Sequence, residues 1–185
     1  MPIVRPYDPV DEQGWLRCRV LSFLPTAYFD DVVTAKPAVE HGIELVADVD
    51  GTIAGILDCS IDGDLATIDT IAVHPDHQRR GIGAALLNET KQGASQLGAT
   101  TLDAWTRDDE ATLRWYRAMG FDESSHYLHV YADHYVDPAE PSRAVQPQPG
   151  LTPIKVFLHG RLEDEQQMRQ QFRRVHVCRR FAMTL

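Results

Sequence analysis

The order of apolar and polar residues along this chain follows two periods, and each predicts a type of secondary structure. Alternation with a period of two is typical of strands, whereas a period of 3.6 is typical of amphipathic helices. Strands are predicted at residues 3–7, 43–49, 52–61, 65–73, 100–105, 124–132, 154–159 and 175–183. Helices are predicted at residues 10–24, 27–35, 80–97, 108–119 and 163–172. The chain therefore combines both types of element.

Turn-forming residues connect these elements. Asp50-Gly51 separates two apolar-rich runs, and such a pair predicts a hairpin because its backbone readily takes positive φ. The strands on either side of it are therefore expected to be antiparallel. Residues 137–150 contain four prolines among small and polar residues. That composition is typical of a loop, and a loop is predicted there.

The bulk composition predicts one domain over residues 1–185. A chain of 185 residues with 43% hydrophobic side chains can bury one core and is short for two. The formal net charge of -9 argues against general nucleic-acid binding, which needs a basic face. An acidic surface suits a cationic or amine-bearing substrate instead.

The cysteines and the apolar runs predict a soluble, cytoplasmic protein. Cys18, Cys59 and Cys178 are far apart and odd in number, so neither a disulfide framework nor a zinc knuckle is expected. The beginning of the chain lacks the apolar run of a signal peptide, and no run approaches the ~20 apolar residues of a membrane span. No membrane partner is therefore predicted.

The stretch between residues 65 and 97 carries the clearest chemistry. A predicted strand ends at Val73, a turn follows at His74-Pro75, and glycines at 81 and 83 lie where the next helix begins. Without side chains there, the first amide N–H groups of the helix can point at phosphate oxygens, assisted by the helix dipole. An ordinary turn is the alternative. The lengths and residues of a nucleotide P-loop or a Rossmann fingerprint are absent from this stretch.

Two blocks in this order resemble the GNAT family of N-acetyltransferases. The first block matches the family's phosphate-binding signature at Gln78, Gly81, Gly83 and Ala84. The second block, residues 105–121, is similar to the family's later strand and helix, with Trp115-Tyr116 and Met119-Gly120-Phe121 in the matching places. The resemblance covers roughly residues 1–136.

The resemblance implies an α/β fold with a mixed, twisted central sheet of about seven strands flanked by helices. The sheet would splay between its fourth and fifth strands, here residues 65–73 and 100–105, and acetyl-CoA (coenzyme A) would lie in the gap. Residues 137–170 would be an insertion before the last strand. A homodimer is compatible with the sequence.

The resemblance also assigns the cofactor-binding residues. The group consists of strand residues beside the pantetheine arm, the pyrophosphate loop and two residues of the later helix: Ile71, Ala72, Val73, Gln78, Arg79, Arg80, Gly81, Ile82, Gly83, Ala84, Asp109 and Tyr116. Val73 N–H would polarise the thioester carbonyl. Asp109 departs from the family, which often has Asn there, because a carboxylate cannot donate to the cofactor as an amide does.

Catalysis would be direct attack of an amine on the thioester. Tyr116 would act as the general acid for the departing sulfur, since a phenol stays protonated at neutral pH. A half-buried core tyrosine is the alternative. Asp69 is the candidate general base. Alternation along the strand predicts that it shares a face with Thr67, Ile71 and Val73. A solvated carboxylate without a catalytic role is equally compatible with this position. Competing candidates for the base are Glu44, Asp58 and His126.

The resemblance implies that the acceptor enters between the first helices and the last strands, against Phe23, Leu24, Tyr28 and Phe29. The leading hypothesis is a small-molecule primary amine, and a protein N-terminus or lysine is the alternative acceptor. A different class of function, a non-catalytic acyl-CoA sensor, is also open. No metal site is predicted, because His74 and His77 flank a turn without a third ligand.

Overall fold

The computed structural model describes residues 2–185, which form two compact units. The first unit contains residues 2–105, 109–122 and 181–185. The second unit contains residues 106–108 and 123–180. Met1 lies outside the described residues.

Five strands belong mainly to the first unit. They are β1 (Ile3–Pro6), β2 (Gly42–Val49), β3 (Thr52–Asp62), β4 (Leu65–Val73) and β5 (Thr101–Thr106). Strands β1 to β4 are antiparallel neighbours in chain order, and β5 pairs in parallel with β4. The predicted hairpin is confirmed, because Asp50 and Gly51 have φ of 52° and 81° and connect β2 to β3.

Helices cover both faces of these strands. They are α1 (Glu12–Phe23), α2 (Ile82–Gln96) and α3 (Glu110–Ala118). Trp15 of α1 packs with Val46 and Ile56 on one face of the sheet, whereas α2 and α3 pack with the other face. Neighbouring strand residues alternate between the two clusters, as the period of two requires.

The splay between β4 and β5 is confirmed. Their parallel pairing runs from Leu65↔Thr101 to Ile68↔Ala104 and ends there. Strand β4 continues to Val73, still paired with β3 on its other side. Residues 69–73 therefore have one edge that β5 does not cover.

The second unit contains the remaining elements. They are β6 (Asp122–Asp133), α4 (Glu140–Ala144), β7 (Lys155–Gly160), α5 (Glu165–Gln171) and β8 (Arg174–Thr184). Asp122 of β6 and residues 181–184 of β8 belong to the first unit. Strands of this unit follow the order β8–β6–β7, with β6 and β7 antiparallel. Its buried Glu140 carboxylate accepts hydrogen bonds from the Asp133 N–H at 3.1 Å and the Arg173 N–H at 2.6 Å.

Three sequence-based predictions need correction. Residues 27–35 form turns instead of a helix, because Thr26 Oγ1 bonds to the backbone of Phe23 and Tyr28 and holds a turn there. The loop predicted at residues 137–150 contains the short helix α4. Within residues 2–185 the strands number eight, as the residue pattern predicts, instead of the about seven that the resemblance implies.

The three cysteines lie in the interior of the protein. Cys18, Cys59 and Cys178 are buried and free. Burial raises the pKa of Cys18 to about 11 and that of Cys59 to about 12, so both thiols stay protonated at neutral pH.

Candidate functional site

The uncovered edge of β4 presents backbone groups to the gap. His74 N–H donates to the Ala54 carbonyl of β3 at 2.9 Å. Because N–H groups alternate in direction along a strand, the N–H groups of Ile71 and Val73 point away from β3 and towards the uncovered edge. The Val73 carbonyl accepts from Ser22 Oγ at 2.9 Å and from Gln78 Nε2 at 3.3 Å. These two bonds fix the end of the strand.

The start of α2 is open. Gly81 has φ of 81° and precedes the helix without a side-chain cap, and its carbonyl accepts the first helical bond from Ala85 N–H at 3.0 Å. Within residues 2–185 the N–H groups of residues 82–84 have no acceptor. A Cβ atom on Gly81 would meet nothing within 4 Å, so a ligand can approach these amides.

Two arginines complete the loop before α2. Arg79 and Arg80 are exposed, and Arg79 has φ of 62°, which turns the chain towards Gly81. Open amides, a helix N-terminus and two guanidinium groups together suit a doubly charged pyrophosphate. The residues at this position therefore fit the group that the sequence implies.

Helix α3 lies against the start of α2. A Cβ atom on Gly83 would be 3.4 Å from Trp115 Cζ2, so the two helices approach closely at this glycine. Asp109 caps α3 and accepts from Thr112 N–H at 2.9 Å and from Thr112 Oγ1 at 2.6 Å. The Asp109 carboxylate is therefore engaged in the helix start.

Tyr116 is a core residue of the first unit. Its side chain is 4% exposed, and its ring stacks on Phe181 at 5.2 Å and meets Phe121 edge-on at 5.3 Å. Burial raises the pKa of the Tyr116 phenol above its usual range, and the negative form of Tyr28 would add to that rise. The phenol is therefore protonated at neutral pH, with Tyr28 close enough to influence it.

A cleft of about 500 Å³ opens beside β3 and β4. The segment of residues 37–41 forms one side of it. The strands contribute Asp58, Ser60, Ile61, Asp69 and Thr70 to the other side. Two carboxylates on adjacent strands thus face one cavity.

Asp69 occupies a β-bulge. Asp58 pairs with Thr70 and Cys59 pairs with Ile68, so Asp69 has no partner on β3. Its carboxylate accepts from Ser60 N–H at 2.9 Å and from Ser60 Oγ at 3.2 Å. Burial raises the pKa of Asp69, and the bonds from Ser60 oppose that rise.

The bulge also changes which residues share a face. Ile71 and Val73 pack with the same core cluster as Ala66 and Ile68. The regular alternation predicted for residues 67–73, with Asp69 on the face of Ile71 and Val73, is therefore wrong. The extra residue shifts the pleat between Ile68 and Thr70.

Asp58 is buried at the base of the cleft, with 4% of its surface exposed. Its Oδ1 lies 3.1 Å from Lys36 Nζ, an ion-pair contact outside hydrogen-bond geometry. Burial raises the pKa of Asp58 to about 6, against the opposing effect of the Lys36 charge. A buried carboxylate with this pKa can exchange a proton near neutral pH.

Lys36 is a residue that the sequence analysis missed. Its side chain is 3% exposed, and it forms an ion pair with Glu44 as well as with Asp58. Its ammonium group also lies 4.7 Å from the ring centroid of Tyr7. Burial lowers the pKa of Lys36, but the bond to Glu44 and the charge of Asp58 outweigh it and hold that pKa above its usual value. Lys36 lies in a polar segment between two secondary-structure elements, and nothing in the sequence of that segment indicates that its side chain is buried.

The residues predicted for the acceptor wall lie outside the lining of this cleft. Phe23 and Tyr28 pack together with ring centroids 5.4 Å apart. Leu24 is 63% exposed and Phe29 is 50% exposed. Their role in acceptor binding stays a prediction.

His126, a candidate base, belongs to the second unit and pairs with Glu123 at 2.7 Å.

Comparisons with known proteins agree with this geometry. Residues 13–121 match the sequence model of the Acetyltransferase (GNAT) family. An uncharacterized N-acetyltransferase of Methanocaldococcus jannaschii is 29% identical over 86 residues. That match covers 42% of this chain and spans 38% of the relative's own length.

Solved structures share the fold at low sequence identity. The ribosomal-protein-S18-alanine N-acetyltransferase of Escherichia coli has a TM-score of 0.61 and 18% identity to this chain. The match covers 100% of this chain and 94% of the chain of that structure. The PaiA N-acetyltransferase of Thermoplasma acidophilum, solved with coenzyme A, has a TM-score of 0.58 and 14% identity to this chain. The match covers 67% of this chain and 91% of the chain of that structure. Within residues 2–185, none of the helices has the length and apolar character needed to cross a membrane.

Proposed function

Because this chain belongs to the Acetyltransferase (GNAT) family, we propose that it transfers the acetyl group of acetyl-CoA to a primary amine of a small molecule. Its enzyme class is that of an acyl-CoA-dependent N-acyltransferase. One observation carries the proposal: β4 extends past its last pairing with β5 and leads directly into the open start of α2. A thioester arm and its pyrophosphate need these two features next to each other.

Acetyl-CoA binding is assigned to these two features. The N–H groups of residues 82–84, with Arg79 and Arg80, hold the pyrophosphate, and Gly81 leaves the approach open. The backbone of residues 71–73 pairs with the pantetheine arm as an added strand does. Gln78 contributes by its bond to the Val73 carbonyl, which holds the end of β4 in place.

The reaction is attack of the neutral amine on the thioester carbonyl carbon. The new N–C bond forms, the C–S bond breaks, and the Val73 N–H donates to the oxyanion that develops between these events. Tyr116, which its raised pKa keeps protonated in the resting enzyme, gives its phenolic proton to the departing thiolate and regains a proton from solvent. Asp109 supports this arrangement as the cap of α3.

The amine proton is assigned to the carboxylates of the cleft. Asp69 accepts it through a water molecule, and Asp58 is the alternative because burial raises its pKa to about 6. Asp58 is opposite Thr70 and Gly55 is opposite Val73, so the two positions are about 10 Å apart at the ~3.3 Å rise of a strand. That distance requires water to carry the proton.

The nature of the acceptor separates the leading proposal from its alternative. The S18-alanine enzyme shares its fold with this chain, and its name gives a protein as its acceptor. A protein N-terminus is therefore the second candidate acceptor. The cleft of about 500 Å³ has the size of a small-molecule site and favours the first candidate. We also assign residues 1–185 to one acetyltransferase domain, with residues 137–170 as an insertion.

Thiol release from acetyl-CoA tests this function. Incubation with a panel of small amines should release free CoA in proportion to acetylated amine. A protein that binds CoA but releases no thiol above background with any amine would be a sensor instead. Label from acetyl-CoA that enters polypeptides in a cell extract, and no small molecule, would favour the protein acceptor.

A further inference from the structure

The cleft has a one-sided charge. Its lining within the described residues includes the carboxylates of Glu40, Asp58 and Asp69 and contains neither lysine nor arginine. His41 is the one basic side chain among the lining residues. An acidic cavity of this kind concentrates cationic ligands.

The charge of Asp58 is incompletely compensated. Lys36 is shared between Asp58 and Glu44, so this group of three side chains keeps one net negative charge. Asp58 Oδ1 is buried and makes no hydrogen bond within residues 2–185. Lys36 Nζ, at 3.1 Å, offsets part of the cost of burying this oxygen, and a cationic group in the cleft would balance the negative charge that remains.

The position of this charge relative to the proposed reaction centre gives the length of the acceptor. Asp58 and Thr70 are opposite each other, and they lie three residue positions from the pair of Gly55 and Val73. The separation is about 10 Å along the strands. A single ammonium group cannot reach both the carboxylates and the thioester held beside Val73.

We propose that the acceptor is a diamine whose distal ammonium group binds between Asp58 and Asp69, an inference that rests on the proposed acyl transfer. The amine at its other end reacts as the neutral species beside Val73. The bulge at Asp69 contributes by turning a second carboxylate towards the cleft, where Ser60 holds it by two hydrogen bonds. The distal ammonium group takes no part in bond making and sets the specificity.

Hexamethylenediamine and hexylamine form a matched pair of probes, since they differ by the second amine. The wild-type enzyme should acetylate the diamine with a kcat/KM about tenfold higher or more, as expected for a desolvated charge-assisted contact. In Asp58→Asn and Asp69→Asn that ratio should fall towards one. The ratio is informative because loss of a general base would lower kcat/KM for both amines equally.

Asp62→Asn is the matched control, because Asp62 is an exposed acidic residue of the same strand outside the cleft lining. It should keep the wild-type ratio. Asp69 is exposed, so its variant provides the answer if Asp58→Asn fails to fold. Equal turnover of both amines by the wild type would overturn the diamine proposal and leave acyl transfer standing. If the enzyme acetylates neither of these two amines nor any other amine, the proposed function itself is overturned.

Discussion

Ile68 and Ala104 are the last paired residues of β4 and β5, and the edge of β4 beyond them is uncovered. Both strands continue past this pair, β4 to Val73 and β5 to Thr106. The end of pairing therefore creates a slot along residues 69–73, and α2 begins shortly after that slot. This relationship underlies the predictions that follow.

The first prediction concerns the open start of α2. Gly81→Val should weaken CoA binding by at least about tenfold, because a branched side chain at this φ displaces the amides and fills the approach. Isothermal titration calorimetry with CoA measures the effect. Gly51→Val is the matched control, since Gly51 has the same φ of 81° and equally open surroundings in a hairpin. Equal affinity of the two variants would refute the assignment.

The second prediction concerns Tyr116. Tyr116→Phe should lower kcat about 100-fold, the scale of a lost general acid, while leaving stability nearly unchanged because the ring contacts to Phe121 and Phe181 remain. Single-turnover acetyl transfer and urea unfolding measure the two effects. Tyr135→Phe, at an exposed tyrosine, serves as the control. Undiminished kcat would mean that Tyr116 is purely a packing residue.

The third prediction concerns the buried ammonium group. Lys36→Met should destabilise the protein by about 3 kcal/mol, because Asp58 and Glu44 would lose the positive charge between them. Urea unfolding at pH 7 measures the change, and the exposed Lys155→Met should have little effect. Adding Asp58→Asn to Lys36→Met should recover part of the loss. A Lys36 variant as stable as the wild type would contradict this account.

The fourth prediction is a pH dependence of stability in the second unit. His129 is 8% exposed, and its Nδ1 accepts from Arg107 Nε at 3.1 Å. Burial, and then the charge of Arg107, lowers its pKa to about 4. The unfolded chain therefore binds this proton at a higher pH than the folded protein. Stability should decrease by up to about 3 kcal/mol as the pH falls from ~6.5 to ~4.

Urea unfolding of the wild type and of His129→Gln between pH 7 and 4 measures this effect. The variant should show a weaker decrease than the wild type, because it lacks the titrating ring. His41→Gln, at an exposed histidine, should keep the wild-type slope. Parallel curves for the wild type and His129→Gln would rule out His129 as the source.

Several features could be predicted from sequence because they depend on neighbours in the chain. Asp50-Gly51 forms a hairpin through local φ preferences, and Asp109 caps α3 through its bonds to Thr112. The passage from β4 into α2 follows from a strand pattern, a proline turn and two glycines. Each of these is decided within a few residues, so the printed sequence contains the necessary information.

Other features depend on residues that are distant in the chain. The bulge at Asp69 arises from the register of β4 against β3, and alternation along β4 alone predicts a continuous strand. Lys36 becomes buried because Asp58 and Glu44 lie beside it in the folded protein. The sequence by itself determined the strands, the start of α3 and the glycine turn before α2. The tertiary structure decided which carboxylates share a cleft and with which charge, since that depends on strand register and burial.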